Sequence, residues 1–258
     1  MNANEPGQPM PAGTATGPLT FDLEPPAAAL AIGAHPDDVE FGCGATLAKW
    51  AAAGCIVHHL VLTDGSKGTW DAHADTAELA RRREDEQTDA AQRLAGDNAG
   101  SVAFLRYVDG ELAVTREATG RIARLIRELR PEVVLGHDPW KRYRLHPDHR
   151  HAGVLTCDAV VAARDPHFFP ELGLPPHRPQ SLLLWEADVP NHVEDASGFV
   201  DRKLAALEAH ASQFESTMKA VDADELAAFR ARIRERLAGL GEPYGLAAAE
   251  LFARISDL

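Results

Sequence analysis

The stretch AALAIGAHPDDVEFGCGATLAKW, residues 28–50, decides the fold. An apolar run of strand length ends at His35, and a loop then presents two carboxylates, Asp37 and Asp38, before a helix that we predict to begin near Cys43. A turn from a strand into a helix places its side chains at the carboxyl edge of a sheet, where open α/β proteins bind ligands. The stretch therefore predicts a parallel sheet with nitrogen and oxygen donors at its edge.

Four more apolar runs follow the first one at intervals that leave room for helices. They are CIVHHLVLT, SVAFLRYV, EVVLGH and SLLLWEA, at residues 55–63, 101–108, 132–137 and 181–187. A helical stripe separates the third run from the fourth, formed by Ile122, Leu125, Ile126 and Leu129 and ended by Pro131. Alternating strands and helices predict a single α/β domain with a Rossmann-like, doubly wound, mostly parallel sheet flanked by helices.

Helices and boundaries complete this prediction. We expect a helix near 75–95 capped by Asp75 or Thr76, and further helices at 222–240 and 246–255. Residues 1–26 are rich in Pro, Gly, Ala and Thr without a hydrophobic period, so we interpret them as a flexible arm before a domain at 27–258.

Composition excludes several classes of protein. The chain has 258 residues with 26 Lys and Arg against 39 Asp and Glu, and this net charge of −13 argues against a nucleic-acid partner. No apolar stretch reaches the roughly 18 residues of a membrane span, and three cysteines outside any CxxC spacing fit a reducing compartment. We expect a cytoplasmic protein with a small-molecule substrate, whose oligomeric state the sequence does not determine.

A second cluster repeats the first geometry. In EVVLGHDPWKRYRLHPDHRHAGVLTCDAV, residues 132–160, a strand ends near His137 and a loop delivers His146 and His149 to a new helix. Each cluster alone has a structural alternative: Asp37 or Asp38 capping the next helix, or a histidine on the surface. In the strand order 3-2-1-4-5, however, the first and fourth strands are neighbours, so the two loops can meet at the topological switch point.

These residues resemble the PIG-L or LmbE-like deacetylase family, which includes sugar N-deacetylases of glycolipid, mycothiol and bacillithiol synthesis. The resemblance covers about 220 residues and rests on the segments AHPDDVEFGCGATLA, LTDGSKGT, DGEL at 109–112, HPDHR, and DRKLAALEAHASQ at 201–213. It implies zinc ligation by His35, Asp38 and His149, a general base at Asp37, and a His146 that polarises or protonates.

The implied roles agree with metal-assisted amide hydrolysis. Three protein ligands leave a fourth position for water, which a metal ion activates and a neighbouring carboxylate deprotonates. The ion and a cationic His146 would then hold the oxyanion, while Asp37 passes its proton to the departing amine. A site with two His and one Asp also accepts Fe²⁺ or Co²⁺ in place of Zn²⁺.

Other positions carry weaker implications. By family pattern Arg83 and Asp109 contact substrate hydroxyls, with structural alternatives in an ion pair from Arg83 to Glu86 and a turn before Gly110. Mycothiol-type members have a Tyr at the position of Arg144. The loop WKRYRL, residues 140–145, instead holds three cations, which is compatible with an acidic or phosphorylated substrate. We assign no role to Lys203, His210 and Gln213, and a solvated helix face explains Lys203 equally well.

The leading hypothesis is metal-dependent hydrolysis of an N-acyl group, most simply N-acetyl, from an amino-sugar-containing small molecule or glycoconjugate. One alternative is an amidase for a thiol conjugate or a longer N-acyl chain. The other is a non-catalytic module that binds a sugar or nucleotide. A nucleotide site is disfavoured because the first strand is followed by GAHPDD rather than GxGxxG.

Overall fold

The computed structural model describes residues 18–258, which form one eight-stranded sheet covered by helices on both faces. The strands are β1 Thr20–Phe21, β2 Ala28–Gly33, β3 Ile56–Thr63, β4 Ala99–Tyr107, β5 Val133–His137, β6 Ser181–Trp185, β7 His192–Asp195 and β8 Ala249–Ile255. The helices are α1 Asp38–Ala52, α2 Thr76–Ala95, α3 Arg116–Leu129, α4 Pro147–Arg164, α5 Val200–Leu207 and α6 Ala223–Gly241.

The strand order confirms the doubly wound topology. The sheet runs β4-β3-β2-β5-β6-β8-β7-β1, so the five strands predicted from apolar runs lie in the expected order 3-2-1-4-5. β2 pairs in parallel with both β3 and β5, and all six of its residues lie in the core or at its edge. The loops after β2 and β5 therefore leave the sheet side by side.

Two apolar clusters hold the helices against the sheet. On one face, Ile122 and Ile126 of α3 and Leu155 of α4 pack on Leu30 and Ile32 of β2. On the other face, residues of α1, α2 and α5 pack on the opposite side of the same strands. Continuous burial on both faces explains why β2, β5 and β6 appear in the sequence as apolar runs, and why β3 does so apart from His58 and His59.

The C-terminal segment differs from our prediction. Residues 249–255 form strand β8, antiparallel to both β6 and β7, where we predicted a helix over 246–255. The residues AELFARI favour a helix by intrinsic propensity, but pairing with two neighbouring strands outweighs a preference of a few tenths of a kcal/mol per residue. The predicted helix at 222–240 is confirmed as α6.

The N-terminal segment is partly in the sheet. Residues 1–17 of the predicted arm lie outside the described residues. Thr20 and Phe21 pair in parallel with His192 and Val193 of β7, so this part of the predicted arm belongs to the sheet. The amide of Leu23 also donates to Glu194 Oε1 at 2.9 Å. Among the described residues, no helix has the length and apolarity to cross a membrane.

Helix α1 starts five residues earlier than predicted because it consists of two parts. Cys43 interrupts it with φ −147° and ψ 19°. The interruption frees the amides of Ala45 and Thr46, which donate to the two carboxylate oxygens of Glu250 at 3.1 and 2.8 Å. Glu250 of β8 therefore caps the second part of the helix from the side.

Lys203 neutralises this buried carboxylate. Its ammonium lies 2.6 Å from Glu250 Oε1 and donates to Phe41 O at 2.8 Å. Only 3% of Lys203 is exposed, so the solvated helix face that we considered for it is wrong. The sequence does not reveal this contact because the partners are 47 residues apart.

Candidate metal centre

Two loops that are distant in sequence meet at the carboxyl edge of the sheet. The loop after β2 carries His35, Asp37 and Asp38, and α4 begins directly after the loop that follows β5. His146 precedes the first turn of α4 and Pro147 starts it, as is common for proline at the first helical position. His149 in that first turn therefore lies against His35, 114 residues away.

Three side chains present their donor atoms to one point. His35 Nδ1 lies 3.2 Å from His149 Nε2 and 3.3 Å from the nearer carboxylate oxygen of Asp38, Oδ2. His149 Nε2 lies 3.3 Å from Asp38 Oδ1. These are the residues that the family resemblance implies as metal ligands.

The spacing of these atoms fits a tetrahedral ion. Ligands bound at ~2.0–2.1 Å to a tetrahedral zinc ion lie about 3.3–3.4 Å apart, because the edge of a tetrahedron is about 1.6 times its centre-to-corner distance. The separations of 3.2 Å between the two histidine nitrogens and 3.3 Å between His149 Nε2 and Asp38 Oδ1 match that edge. Two nitrogens and one oxygen are also donors that zinc, ferrous iron and cobalt accept, so the residues present fit a bound divalent ion.

The far nitrogen of His35 faces two carboxylates. Its Nε2 lies 3.1 Å from Asp109 Oδ1 and 3.1 Å from Asp148 Oδ2. Burial lowers the pKa of His35, but Asp109, Asp148 and Asp38 outweigh it and raise that pKa well above its ordinary value. A carboxylate on the outer nitrogen of a metal-binding histidine fixes its tautomer and leaves the inner nitrogen for the ion. Nδ1 is the inner nitrogen here.

Asp148 is the better anchored of these carboxylates. It is fully buried and accepts the amides of Gly110 at 2.6 Å and Leu112 at 3.2 Å through its two oxygens. We predicted no role for Asp148 from the sequence, although it lies inside the HPDH motif. Its position in the sequence between His146 and His149 could have identified it as part of the site. The second carboxylate, Asp109, also accepts the amide of Lys67 at 3.0 Å.

The other undetected residue is His137, the last residue of β5. It is 2% exposed, and its Nε2 lies 3.2 Å from Asp38 Oδ2. Burial lowers the pKa of His137 to about 4, so its imidazole is neutral. Although burial alone would raise it, the pKa of Asp38 is held well below its ordinary value by His149 and His137. Asp38 is therefore an ionised carboxylate.

Asp37 combines a strained backbone with an unusual acidity. Its φ of 101° lies in a region that L-residues rarely adopt, and its amide donates to Gln87 Oε1 at 2.9 Å. Strain of this kind persists only where the surroundings enforce it and is concentrated at functional sites. Burial raises the pKa of Asp37 to about 6 even though the Arg83 guanidinium, 3.5 Å away, lowers it. A carboxyl of this acidity can gain and release a proton near neutral pH.

Arg83 is bound within the chain rather than paired with Glu86. Its guanidinium donates to Gly65 O at 2.9 Å and to Pro36 O at 2.5 Å, and only 3% of the residue is exposed. Glu86 instead accepts from Arg82 at 2.9 Å and from the Ser212 hydroxyl at 2.6 Å. The structural alternative of an Arg83–Glu86 pair is therefore wrong, and Arg83 ties the Asp37 loop to the loop after β3.

His146 stands at the entrance to the cluster. Its ring stacks on His149 with centroids 4.7 Å apart and meets His35 edge-on at 4.7 Å. Burial, together with His35 and His149, lowers the pKa of His146, which disfavours the cationic form that we expected. Tyr143, at 85% exposed and φ 60°, does not reach the cavity.

A buried polar cluster supports Asp37 from behind. Gln87 donates from Nε2 to Glu40 Oε1 at 2.8 Å while it accepts the Asp37 amide. Glu40 is fully buried and also faces His210 Nε2 at 3.3 Å and His59 Nε2 at 3.5 Å. Gln213, a further residue without a predicted role, is buried as well and donates to a backbone carbonyl of the loop after β3. Lys203, His210 and Gln213 are therefore all buried.

The candidate metal ligands line one open cavity of about 510 Å³, within the range of ~300–1,000 Å³ typical of small-molecule sites. Its wall includes His35, Asp37, Asp38, Lys67, Arg83, Asp109, His146, His149, Glu186 and Arg236. All seven residues that the sequence singled out as ligands, acid–base groups or substrate contacts line this cavity.

Known proteins share both the sequence and the fold. Residues 30–160 match the family model described as PIG-L: GlcNAc-PI de-N-acetylase. The diacetylchitobiose deacetylase of Thermococcus kodakarensis is 41% identical over 188 residues, which span 72% of this chain and 69% of that protein. The 1D-myo-inositol 2-acetamido-2-deoxy-alpha-D-glucopyranoside deacetylase of Streptomyces scabiei is 30% identical over 247 residues, spanning 72% and 76%.

A solved structure agrees with these relatives. The N,N'-diacetylchitobiose deacetylase of Pyrococcus horikoshii, in complex with an inhibitor, superposes with a TM-score of 0.80 and 30% sequence identity over 90% of this chain and 84% of that chain. The segment that matches the family model, residues 30–160, contains both loops that carry the histidines and aspartates of the cavity. The chain therefore belongs to the PIG-L, or GlcNAc-PI de-N-acetylase, family of amide hydrolases.

Proposed function

We propose that this protein is a zinc-dependent N-deacetylase that hydrolyses the N-acetyl amide of an amino-sugar-containing small molecule. The close approach of His35, Asp38 and His149 carries the proposal, with 3.2 Å between the two histidine nitrogens and 3.3 Å from His149 Nε2 to Asp38 Oδ1. The names of the relatives support this substrate class, since those proteins act on diacetylchitobiose and on an N-acetylated glucosaminyl inositol. We also propose a cytoplasmic location, supported by three cysteines that are all free.

His35, Asp38 and His149 would hold a divalent ion, whose Lewis-acid chemistry would polarise the amide carbonyl and make water more acidic. Asp37 receives the proton that the attacking water loses, because its carboxyl is buried beside Asp38 and has a pKa of about 6. The same carboxyl then donates that proton to the departing amine. The products are acetate and the free amino sugar.

His146 acts from the cavity mouth as a neutral hydrogen-bond donor to the developing oxyanion. Its stacking on His149 sets the orientation of the ring, and its lowered pKa favours the neutral imidazole. A donor already in place when charge develops stabilises the transition state without the cost of reorientation.

Arg83 and Asp109 border the substrate space in this proposal. Both line the cavity, which agrees with the contacts to substrate hydroxyls that the resemblance implies. Their polar atoms are already engaged with Pro36, Gly65 and His35, so each also positions the residues that do the chemistry. Direct contact with substrate hydroxyls stays a prediction.

The alternatives are not favoured by the relatives. A thiol-conjugate amidase and a longer-chain amidase use the same donor atoms, but the named relatives remove groups from acetamido sugars. A binding module without catalysis does not explain a buried carboxyl with a pKa near 6 beside a set of metal ligands. A substrate panel separates these three functions.

The test is a panel assayed with zinc-loaded protein and detection of the released amine. The panel contains N-acetylglucosamine, N,N'-diacetylchitobiose, a glucosaminyl inositol with an N-acetyl group, a longer N-acyl series and a thiol conjugate. We expect turnover of at least one acetamido sugar, loss of turnover after chelation, and recovery on adding zinc. Turnover that persists in the chelated protein, or that is confined to the thiol conjugate, contradicts the proposal.

A further inference from the structure

His137 connects the ligand Asp38 to two residues outside the cavity. Its Nδ1 lies 3.0 Å from Arg144 Nη1 and accepts from the Trp185 indole at 3.1 Å. Its Nε2 lies 3.2 Å from Asp38 Oδ2. Arg144, His137 and Trp185 are 7%, 2% and 1% exposed, so water does not compete for these contacts.

The chemistry of the two neighbours decides where the proton of His137 lies. Guanidinium and indole nitrogens donate hydrogen bonds and cannot accept them. Because both point at Nδ1, this nitrogen must present its lone pair and the proton must lie on Nε2. His137 therefore donates to Asp38. The amide of Ala34 lies 3.4 Å from the same Nε2, which is the longest of these contacts, and the two shorter ones at Nδ1 outweigh it.

Arg144 is fixed by its own contacts. Its second guanidinium nitrogen lies 3.0 Å from Glu186 Oε2, and its backbone carbonyl accepts from Arg150 at 2.8 Å. Lys141 of the same loop donates to Glu186 O at 3.1 Å. Two of the three cations in WKRYRL are thus bound within the chain, and neither Lys141 nor Arg144 borders the cavity. This arrangement does not support our expectation that the loop could bind an acidic substrate.

The donors around Asp38 separate its two oxygens. Oδ2 accepts the amide of His35 at 2.7 Å and the Nε2 proton of His137. Oδ1 faces His149 at 3.3 Å. Although Oδ2 also lies 3.3 Å from His35 Nδ1, its two donors leave Oδ1 as the oxygen for an ion.

We propose that Arg144 and Trp185 are positioning residues that act through His137 to hold Asp38 with Oδ1 turned to the metal site. This inference rests on the proposed function only for its metal site. It does not require that the protein deacetylates a substrate. Arg144, at the position where mycothiol-type relatives have a Tyr, then contributes to metal affinity and not to substrate recognition.

The test measures zinc affinity of the full chain by competition with a chromogenic chelator. Arg144→Met removes one donor to Nδ1 and Trp185→Phe removes the other, and we expect each to weaken zinc binding about tenfold or more, the range of ~10–100-fold for groups behind metal ligands. Matched controls are Arg142→Met in the same loop and Trp140→Phe, whose side chain is 68% exposed. Both controls should keep the wild-type affinity.

Two further measurements separate positioning from a general structural effect. In the background of His137→Leu, Arg144→Met should add little to the loss, because residues that act through one group are not additive. His137→Gln, whose amide can donate to Asp38 and accept from Arg144, should recover most of the affinity and guards against variants that fail to fold.

Two results would overturn the inference. One is wild-type zinc affinity in folded Arg144→Met and Trp185→Phe. The other is an Arg144→Met protein with unchanged zinc affinity and a raised KM, which would make Arg144 a substrate contact. Since zinc affinity is read without a substrate, an inactive wild-type protein that binds zinc would refute the proposed function and leave this inference standing.

Discussion

His35 Nε2 lies 3.1 Å from Asp148 Oδ2, on the side of the ring that faces away from the proposed metal site. Asp148 is held in turn by the amides of Gly110 and Leu112. His35, the proposed ligand, is thus oriented by a carboxylate that the backbone itself fixes. Such a support keeps the donor atoms in place before an ion arrives.

Asp148→Asn should weaken zinc binding by about 10–100-fold. The substituted amide cannot accept from His35, Gly110 and Leu112 together, because one of its oxygens has become a donor nitrogen. Chelator competition measures the affinity. Asp158→Asn, an exposed change on the same helix, is the control. Equal affinity of the two variants would remove Asp148 from the account of the site.

Asp37→Asn should reduce kcat by roughly 10²–10⁴-fold with zinc content unchanged. The amide has the same shape as the carboxyl but cannot accept the proton of the attacking water. Turnover on the acetamido sugar found in the panel, together with metal analysis of the same sample, measures both quantities. A variant that loses its zinc along with its activity would show that Asp37 is a ligand instead.

Asp37→Gly should be inactive and yet more stable than the wild type in the metal-free state. Glycine adopts φ 101° without strain, and such strain costs about 1–3 kcal/mol in other residues. Urea unfolding of metal-free protein gives the free energy of unfolding. Asp37→Asn again serves for comparison, because it removes the charge but keeps a side chain on the strained backbone. A glycine variant no more stable than the asparagine variant would argue against strain.

Zinc binding should release protons, and its affinity should fall as the pH is lowered. Burial lowers the pKa of His35, but the carboxylates around it raise the pKa well above its ordinary value, so metal-free His35 is protonated at neutral pH. A bound ion must displace that proton, and the affinity therefore rises with pH until the pH exceeds this pKa. Calorimetry in buffers of different ionisation enthalpy counts the protons. Zero release at neutral pH would contradict the assignment.

Lys203→Met should destabilise the fold by about 3–5 kcal/mol, the usual effect of leaving a buried partner charge alone. The partner is Glu250, whose carboxylate caps the second part of α1. Adding Glu250→Gln should recover part of the loss. Arg234→Met, which breaks the exposed pair with Asp201, should change stability by less than ~1 kcal/mol. A comparable loss in both variants would show that the buried pair has no special role.

Much of the fold was predictable because burial leaves a simple pattern. β2, β5 and β6 are covered on both faces and appear as apolar runs, and β3 differs only by His58 and His59. β7 could not be found in this way, because it buries His192 and Glu194, two polar residues whose side chains are hydrogen-bonded at 2.9 Å. β8 was mistaken for a helix since its composition favours one and its pairing partners are far away in sequence.

The residues of the candidate site were likewise predictable only in part. The loops after β2 and β5 carry short motifs whose residue types indicate metal chemistry, so His35, Asp38 and His149 could be singled out. His137 is the last residue of an apolar strand, and its donation to Asp38 depends on Arg144 and Trp185, which only the folded chain brings together. Such supporting residues are recognised by contacts and not by spacing.

The central claim is that one divalent ion binds between His35, Asp38 and His149. Anomalous diffraction at the zinc edge from zinc-soaked crystals tests it most directly. We expect a single strong peak about 2.0–2.2 Å from His35 Nδ1, His149 Nε2 and Asp38 Oδ1. Other groups of donors lie close by, including His35 with Asp109 and Asp148. A peak in that group, or none near the cluster, would contradict the claim.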